Sequence, residues 1–240
     1  MRSSVAVLAA LLAVGGCKAG DQAGDQDGDQ GGGKGGGKGG GASSAPAASG
    51  SALAAVSSLT VKGRAPKTGY ERGEFGSSWV DTDDNGCGTR DDILKRDLKD
   101  VRFRDGHCLV ASGTLTDDPY TGSDVRFVRG RSKVDIDHVV ALSDAWQKGA
   151  QKWDRDKRLA FANDPLNLIA VDASANRRKG DGDAATWLPP NKAYRCAYVA
   201  HQVAVKKAYG LWVTEAEKGA MKRVLGGCPT ARLPARSGGR

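Results

Sequence analysis

The sequence predicts an α+β fold: a central strand–strand–helix unit, a small hairpin and helix region before it, and an antiparallel helix pair after it. Three observations carry this. Val134 and Ile136 alternate with Asp135 and Asp137, the period of a half-buried strand, and Leu166, Leu168 and Ile169 supply an apolar return strand. Residues 176–179 are polar and fit one or two helical turns. Farther on, Tyr194, Ala197, Tyr198, His201, Val205 and Ala208 fall at helical spacing and the pattern stops at Gly210, with a second helical stretch running to Gly226-Gly227.

In chain order, residues 1–16 read as a signal peptide. A basic lead is followed by an apolar run at 5–14, far short of the ~20 residues that span a bilayer. Val14-Gly15-Gly16-Cys17 resembles a lipobox, which implies cleavage before Cys17, a lipid on its sulfur and a membrane as partner. An ordinary signal peptide with an incidental cysteine is the alternative. Residues 17–58 are Gly, Ala, Ser, Asp and Gln with almost no large apolar side chain, so they cannot offset the entropy of ordering and form a flexible tether. Residues 59–228 suit one domain, and 229–240 read as a disordered tail. No other run is apolar enough to span a membrane. The formal charge of +8 and pI near 9.3 favour a polyanionic partner without distinguishing it from a generically basic protein.

Residues 70–79 are an aromatic arm that packs on the domain. Thr89 caps a helix with Asp91 and Asp92 in its first turn, where acids suit the dipole, and with Ile93, Leu94 and Leu98 inward. Strands follow at 101–103, 108–115 and 125–128, the last two separated by the turn Asp118-Pro119-Tyr120-Thr121-Gly122. Between the two central strands, 141–150 and 154–163 are helical, with Leu142, Ala145 and Trp146 on one face and Pro165 ending the second. After the extended Thr186-Trp187-Leu188-Pro189-Pro190, a long helix begins at Asn191. Thr214-Glu215-Ala216-Glu217 is a capping box that starts the last helix. His107 in a turn and His201 in mid-helix read as surface or packed residues.

With Cys17 set aside, Cys87, Cys108, Cys196 and Cys228 remain, an even number that suits disulfides in an exported chain. Cys196 lies about as far before the Gly210 turn as Cys228 lies after Thr214. Equal arms of an antiparallel helix pair bring both to one end. The expected pairs are Cys196–Cys228 and, by remainder, Cys87–Cys108. A zinc site is the rival, but no Cys-x-x-Cys spacing supports it.

The chemistry sits between 134 and 183. An imidazole at His138 can take a proton from water near neutral pH. Carboxylate and amide oxygens at Asp137 and Asn176 are hard donors that suit a divalent ion. Arg177, Arg178 and Lys179 supply charge for a phosphate. Three blocks, Asp137-His138-Val139-Val140-Ala141-Leu142, Asn163-Asp164-Pro165-Leu166-Asn167-Leu168 and Gly180-Asp181-Gly182-Asp183-Ala184-Ala185-Thr186-Trp187-Leu188-Pro189-Pro190, resemble secreted bacterial HNH-family proteins of the ββα-metal type. The resemblance covers about the C-terminal two thirds of the chain.

That resemblance implies an endonuclease of low sequence specificity with one divalent ion, Mg²⁺ first and Mn²⁺ or another as alternatives, acting on nucleic acid, DNA above all. It implies His138 as general base, Asp137 and Asn176 as metal ligands, and Asn167 as a brace for the loop that carries His138. Lys179, Arg177 and Arg178 would hold phosphate, and Asp135 would orient a metal-bound water or tune His138. In-line attack would leave a 5′ phosphate and a 3′ hydroxyl. Arg90 resembles a recurrent Thr-Arg of the family that reaches phosphate, with a structural role as the other reading. Neighbours on a strand face opposite ways, so Asp137 and His138 would approach the phosphate from two sides. The alternative function is a non-catalytic basic envelope lipoprotein that binds polyanions. No protein partner is evident.

Overall fold

The computed structural model describes residues 50–235 apart from Asp105. The expected signal peptide, the lipid site Cys17 and most of the expected tether lie outside the described residues.

In chain order the elements are α1 (Ala52–Ser57), α2 (Thr89–Asp97), β1 (Lys99–Phe103), β2 (Val110–Leu115), β3 (Val125–Val128), β4 (Val134–His138), α3 (Leu142–Gln147), α4 (Arg155–Asn163), β5 (Leu168–Asp172), α5 (Ala173–Lys179), α6 (Arg195–Tyr209) and α7 (Glu215–Gly226). Strands β1, β2 and β3 form one antiparallel sheet, and β4 and β5 a separate antiparallel pair. The α+β expectation holds, and β5 runs directly into α5 to complete the strand–strand–helix unit.

Alternation along β4 and β5 divides the core. Val134, Ile136, Leu168 and Ala170 face α2 and the three-stranded sheet, with Ile93, Leu94, Val110 and Phe127. Ile169 and Val171 face the other way, into a cluster with Tyr120, Tyr198, Val203 and Met221. Asp135 pairs with Val171 and Asp137 with Ile169, so both acids lie on this second face, while His138 pairs with Leu168. A third cluster gathers Phe75, Trp146, Phe161 and Tyr209, with Tyr70 packed against it, so the aromatic arm docks as expected.

Several local expectations shift. Gly88, not Thr89, is the N-cap of α2, and the Thr89 hydroxyl instead donates to the carbonyl of Val80. Asn191 caps a short 3-10 turn, Lys192–Tyr194, and α6 proper begins at Arg195. The capping box is half formed. Thr214 Oγ1 accepts from Glu217 N at 3.1 Å, but the Glu217 carboxylate turns inward to Lys148 and Lys206. Folded structure also exceeds the expected bounds of 59 and 228. Ser51 caps α1, Ala52 N donates to Ala231 O at 2.8 Å, and Ala52 and Val56 are fully buried. The small side chains that read as tether suit close packing against α6 and α7.

Both disulfides match expectation: Cys87–Cys108 with Cα atoms 5.1 Å apart and Cys196–Cys228 at 6.4 Å. Beneath α3, α6 and α7 lies a charge cluster the sequence did not announce. Lys148 Nζ meets Asp144 at 2.6 Å, Asp183 at 2.8 Å and Glu217 at 2.6 Å, all buried. Lys206 meets Asp144 and Glu217, each at 2.9 Å, and Arg64 closes the set on Asp144 and Asp183. Three cations thus balance three acids, which is what keeps buried charge tolerable.

Candidate active site

An open cleft of about 530 Å³ runs along β4, with Asp135, Ile136, Asp137 and His138 all contributing to its wall. Asn176 and Gly180 face it from α5, and Arg72, Trp79 and Arg90 face it from the N-terminal arm and α2. Residues two apart on a strand and three apart on a helix share a face, so Asp135 and Asp137 meet Asn176 and Lys179 as two rungs. Asn176 Nδ2 donates to Asp135 Oδ2 at 3.3 Å. Lys179 Nζ donates to Asp137 Oδ1 at 3.1 Å and to the carbonyl oxygen of His138 at 2.9 Å.

Asp137 is 6% exposed and also accepts from the Tyr120 hydroxyl at 2.5 Å. Burial raises its pKa, against the opposing pull of Lys179 and of the Tyr120 hydrogen bond. His138 is equally buried, and its Nε2 lies 2.8 Å from the Ala162 carbonyl oxygen. A carbonyl can only accept, so Nε2 carries the proton and Nδ1 is the ring's free acceptor. Burial pushes the imidazole down to about 3, with the charges of Arg72 and Lys179 adding and the Ala162 carbonyl opposing, so the ring is neutral. The indole of Trp79 stacks on it at 6.3 Å and 20°.

Asn167 is fully buried. Its Oδ1 accepts from Val140 N at 2.9 Å, its Nδ2 donates to Val140 O at 3.3 Å, and its own carbonyl accepts from Val139 N at 2.8 Å. The chain leaving His138 is therefore clamped on both sides by one asparagine. Asp137 does not cap the following helix: the N-cap of α3 is Ala141, and the Asp137 carboxylate is held by Tyr120 and Lys179.

Three expected phosphate contacts fall elsewhere. Lys179 is 3% exposed and neutralises Asp137 inside the protein. Arg177 and Arg178 are exposed on α5 but do not line the cleft, and Arg178 donates to Ser174 Oγ at 2.7 Å. The cleft's cations are Lys67, Arg72 and Arg90. The Arg90 guanidinium lies 5.7 Å from the Trp79 ring centre, and burial lowers its pKa with Arg129 adding and Asp135 opposing. Of these, sequence reading raised Arg90 alone as a phosphate contact. In the sequence Tyr120 reads only as a turn residue and Trp79 as part of the arm, and no spacing ties either to β4. His201 is packed, with Nε2 2.5 Å from Leu166 O.

The ligand atoms that Asp135, Asp137 and Asn176 can offer are oxygens, a hard set that suits a divalent ion rather than a thiolate-seeking one; as placed, Asn176 turns Nδ2 to Asp135 and Lys179 holds Asp137. The cluster of Cys87, His107 and Cys108 offers no competing site, because both sulfurs are held in a disulfide.

Residues 88–224 match the model of the GmrSD restriction endonucleases, C-terminal domain, which is more than half of the chain. This chain belongs to that family. The GmrSD C-terminal domain is HNH-like, in agreement with the three sequence blocks, and it gives the chain a nuclease function in general and nucleic acid as its partner. The matched span begins at the N-cap of α2 and takes in β4, β5, α5 and α6. A protein of Arthroderma benhamiae (strain ATCC MYA-4681 / CBS 112371), described as an uncharacterized secreted protein, is 42% identical over 175 residues, covering 72% of this chain and 82% of the relative.

Proposed function

We propose that this GmrSD-family chain is an exported, metal-dependent endonuclease of low sequence specificity. The observation that carries the reading is the meeting of Asn176 with Asp135 at 3.3 Å in the same cleft that His138 lines as a neutral base. Asp135 and Asn176 would hold a divalent ion, with Asp137 beside them; Mg²⁺ is the first candidate. Such an ion would stabilise charge on the phosphate and on the leaving oxygen.

The chain's own residues do the rest. His138 Nδ1 takes the proton of the attacking water, and the Nε2–H bond to Ala162 fixes the tautomer that makes this possible. Asn167 holds the backbone after His138. Lys179 and Tyr120 fix Asp137 and favour its ionised form against burial. Arg72, Arg90 and Lys67 receive the phosphate in place of Arg177, Arg178 and Lys179. Nothing in the sequence resembles a reading helix or zinc finger for the major groove, which accords with low specificity.

Two disulfides and a relative described as secreted favour export, and Cys17 is proposed as a lipid anchor on the lipobox pattern alone. The domain is proposed to be tethered by the Gly-rich segment before Ser51. Family membership does not favour the non-catalytic polyanion binder. A cleavage matrix decides: plasmid, single-stranded DNA and RNA, each with Mg²⁺, Mn²⁺, Ca²⁺ or a chelator. Cleavage of at least one substrate with Mg²⁺ or Mn²⁺, stopped by chelation, is expected. Binding without cleavage under every ion would return the polyanion-binding reading.

A further inference from the structure

A second groove, of about 550 Å³, opens between β3, the β3–β4 turn and the start of α5. Arg126, Arg131 and Lys133 line it and are exposed, and none makes a side-chain ion pair among the described residues. The contrast with the interior is sharp, since Lys148, Lys206 and Arg64 are each held by at least two carboxylates. The groove's two acids are committed elsewhere. Asp172 Oδ1 accepts from Ala175 N at 2.8 Å and Asp124 Oδ1 from Asp117 N at 3.0 Å. Those acids keep their charge, but three cations against two acids leave the groove net positive, with its cations unpaired, a surface suited to an anion.

Its position ties it to the cleft. Lys133 stands two residues before Asp135, and its carbonyl accepts from Ala173 N at 2.9 Å, at the root of the helix that carries Asn176. Two extended residues span about 6.7 Å, which is about two ~3.4 Å rises along the axis of a duplex. Arg90, inside the cleft, feels the charges of both Asp135 and Arg129, the latter at the end of β3. Arg129 itself is paired with Asp91 and lines neither space, so the link between cleft and groove is the short backbone run from Lys133 to Asp135. Arg126 projects outward from β3 between the inward Val125 and Phe127, so it is not needed for the core.

We infer that Arg126, Arg131 and Lys133 form a track for the phosphate backbone of the substrate strand on one side of the bond that is cut. The inference rests on the nuclease reading and adds where the strand runs. Contacts of this kind grip every sequence alike and carry a salt dependence that scales with their number.

The test uses the full chain under chelation, with anisotropy of a fluorescein-labelled 30-mer DNA duplex as the readout and KCl varied. Arg126→Gln/Arg131→Gln/Lys133→Gln is compared with Lys222→Gln/Arg223→Gln, a pair of exposed cations on α7 that line neither the cleft nor the groove. The track variant should bind ~10-fold more weakly at ~0.1 M salt, with its log–log salt slope smaller by about 2 to 3. The α7 variant should bind as wild type does, and both should keep the wild-type melting temperature. If the track variant binds like the α7 variant while the wild type still cleaves, the track is wrong and the nuclease reading stands. If the wild type neither binds nor cleaves, both fall.

Discussion

The ammonium of Lys179 lies 3.0 Å from Asp137 Oδ2 and 2.9 Å from the carbonyl oxygen of His138, in a position closed to solvent. One side chain of α5 thus ties together two consecutive residues of β4 that face opposite ways. Removing a single partner of a buried pair strands the other charge and costs about 3–5 kcal/mol. Lys179→Met should therefore lose about that much in urea denaturation, and Lys179→Met/Asp137→Asn should recover most of it, since no bare charge remains. A single variant as stable as wild type would show that the pair does not form.

Asn167 satisfies both the N–H and the carbonyl of Val140 from a fully buried position. Asn167→Ala leaves those groups unpaired at about 1–3 kcal/mol each. The urea midpoint should fall accordingly, and cleavage should drop with it because the backbone after His138 loses its clamp. An unshifted midpoint would mean that water or repacking replaces the amide at no cost.

Acid should weaken the fold in a defined window. Burial pushes Asp144 up, but the charges and hydrogen bonds of Lys206 and Lys148 outweigh it and bring the carboxyl to about 2, against an ordinary 3.8. Asp183 is lowered too, with burial opposed by Lys148. A folded-state pKa below the unfolded one contributes stability that is present above pH 3.8 and is lost as pH falls towards 2. Melting temperature from these groups should hold above about pH 4 and decline below it, more gently in Asp144→Asn. A melting temperature that rises on acidification through this window would contradict the cluster.

The Cys196–Cys228 bridge closes a span of 32 residues across the α6–α7 pair. Loop entropy at that length is worth about 3–4 kcal/mol, so Cys196→Ala/Cys228→Ala should unfold at lower urea by that amount. Equal stability of the double variant and wild type would remove the bridge from the energetics.

What could be read from the chain was local or periodic. Alternation from Val134 to His138 gave the strand and put Asp135 and Asp137 on one face. Equal arms gave the helix-pair disulfide, while the shared face of Asn176 and Lys179 on α5 emerges only from the structure. Burial and long-range pairing were not legible. Lys179 shows a positive charge in sequence, and nothing in its neighbours says that it is closed in against Asp137 rather than open to phosphate. Tyr120 reaches Asp137 across 17 residues and Lys148 reaches Glu217 across 69, with no shared period to link them. The helix α1 was hidden by composition, because its alanines resemble the tether that precedes them until α6, α7 and the Ala231 carbonyl supply something to pack against.

The most direct measurement is the nicking rate of supercoiled plasmid by wild type and by His138→Ala, at equal folded concentration with Mg²⁺ or Mn²⁺. Loss of a positioned general base costs about 10²–10⁴-fold, so the folded variant should nick at least ~10²-fold more slowly, apart from the ~1–3 kcal/mol of stability that the unpaired Ala162 carbonyl costs. A folded His138→Ala protein that nicks as fast as wild type would contradict the placement of the reaction at this imidazole.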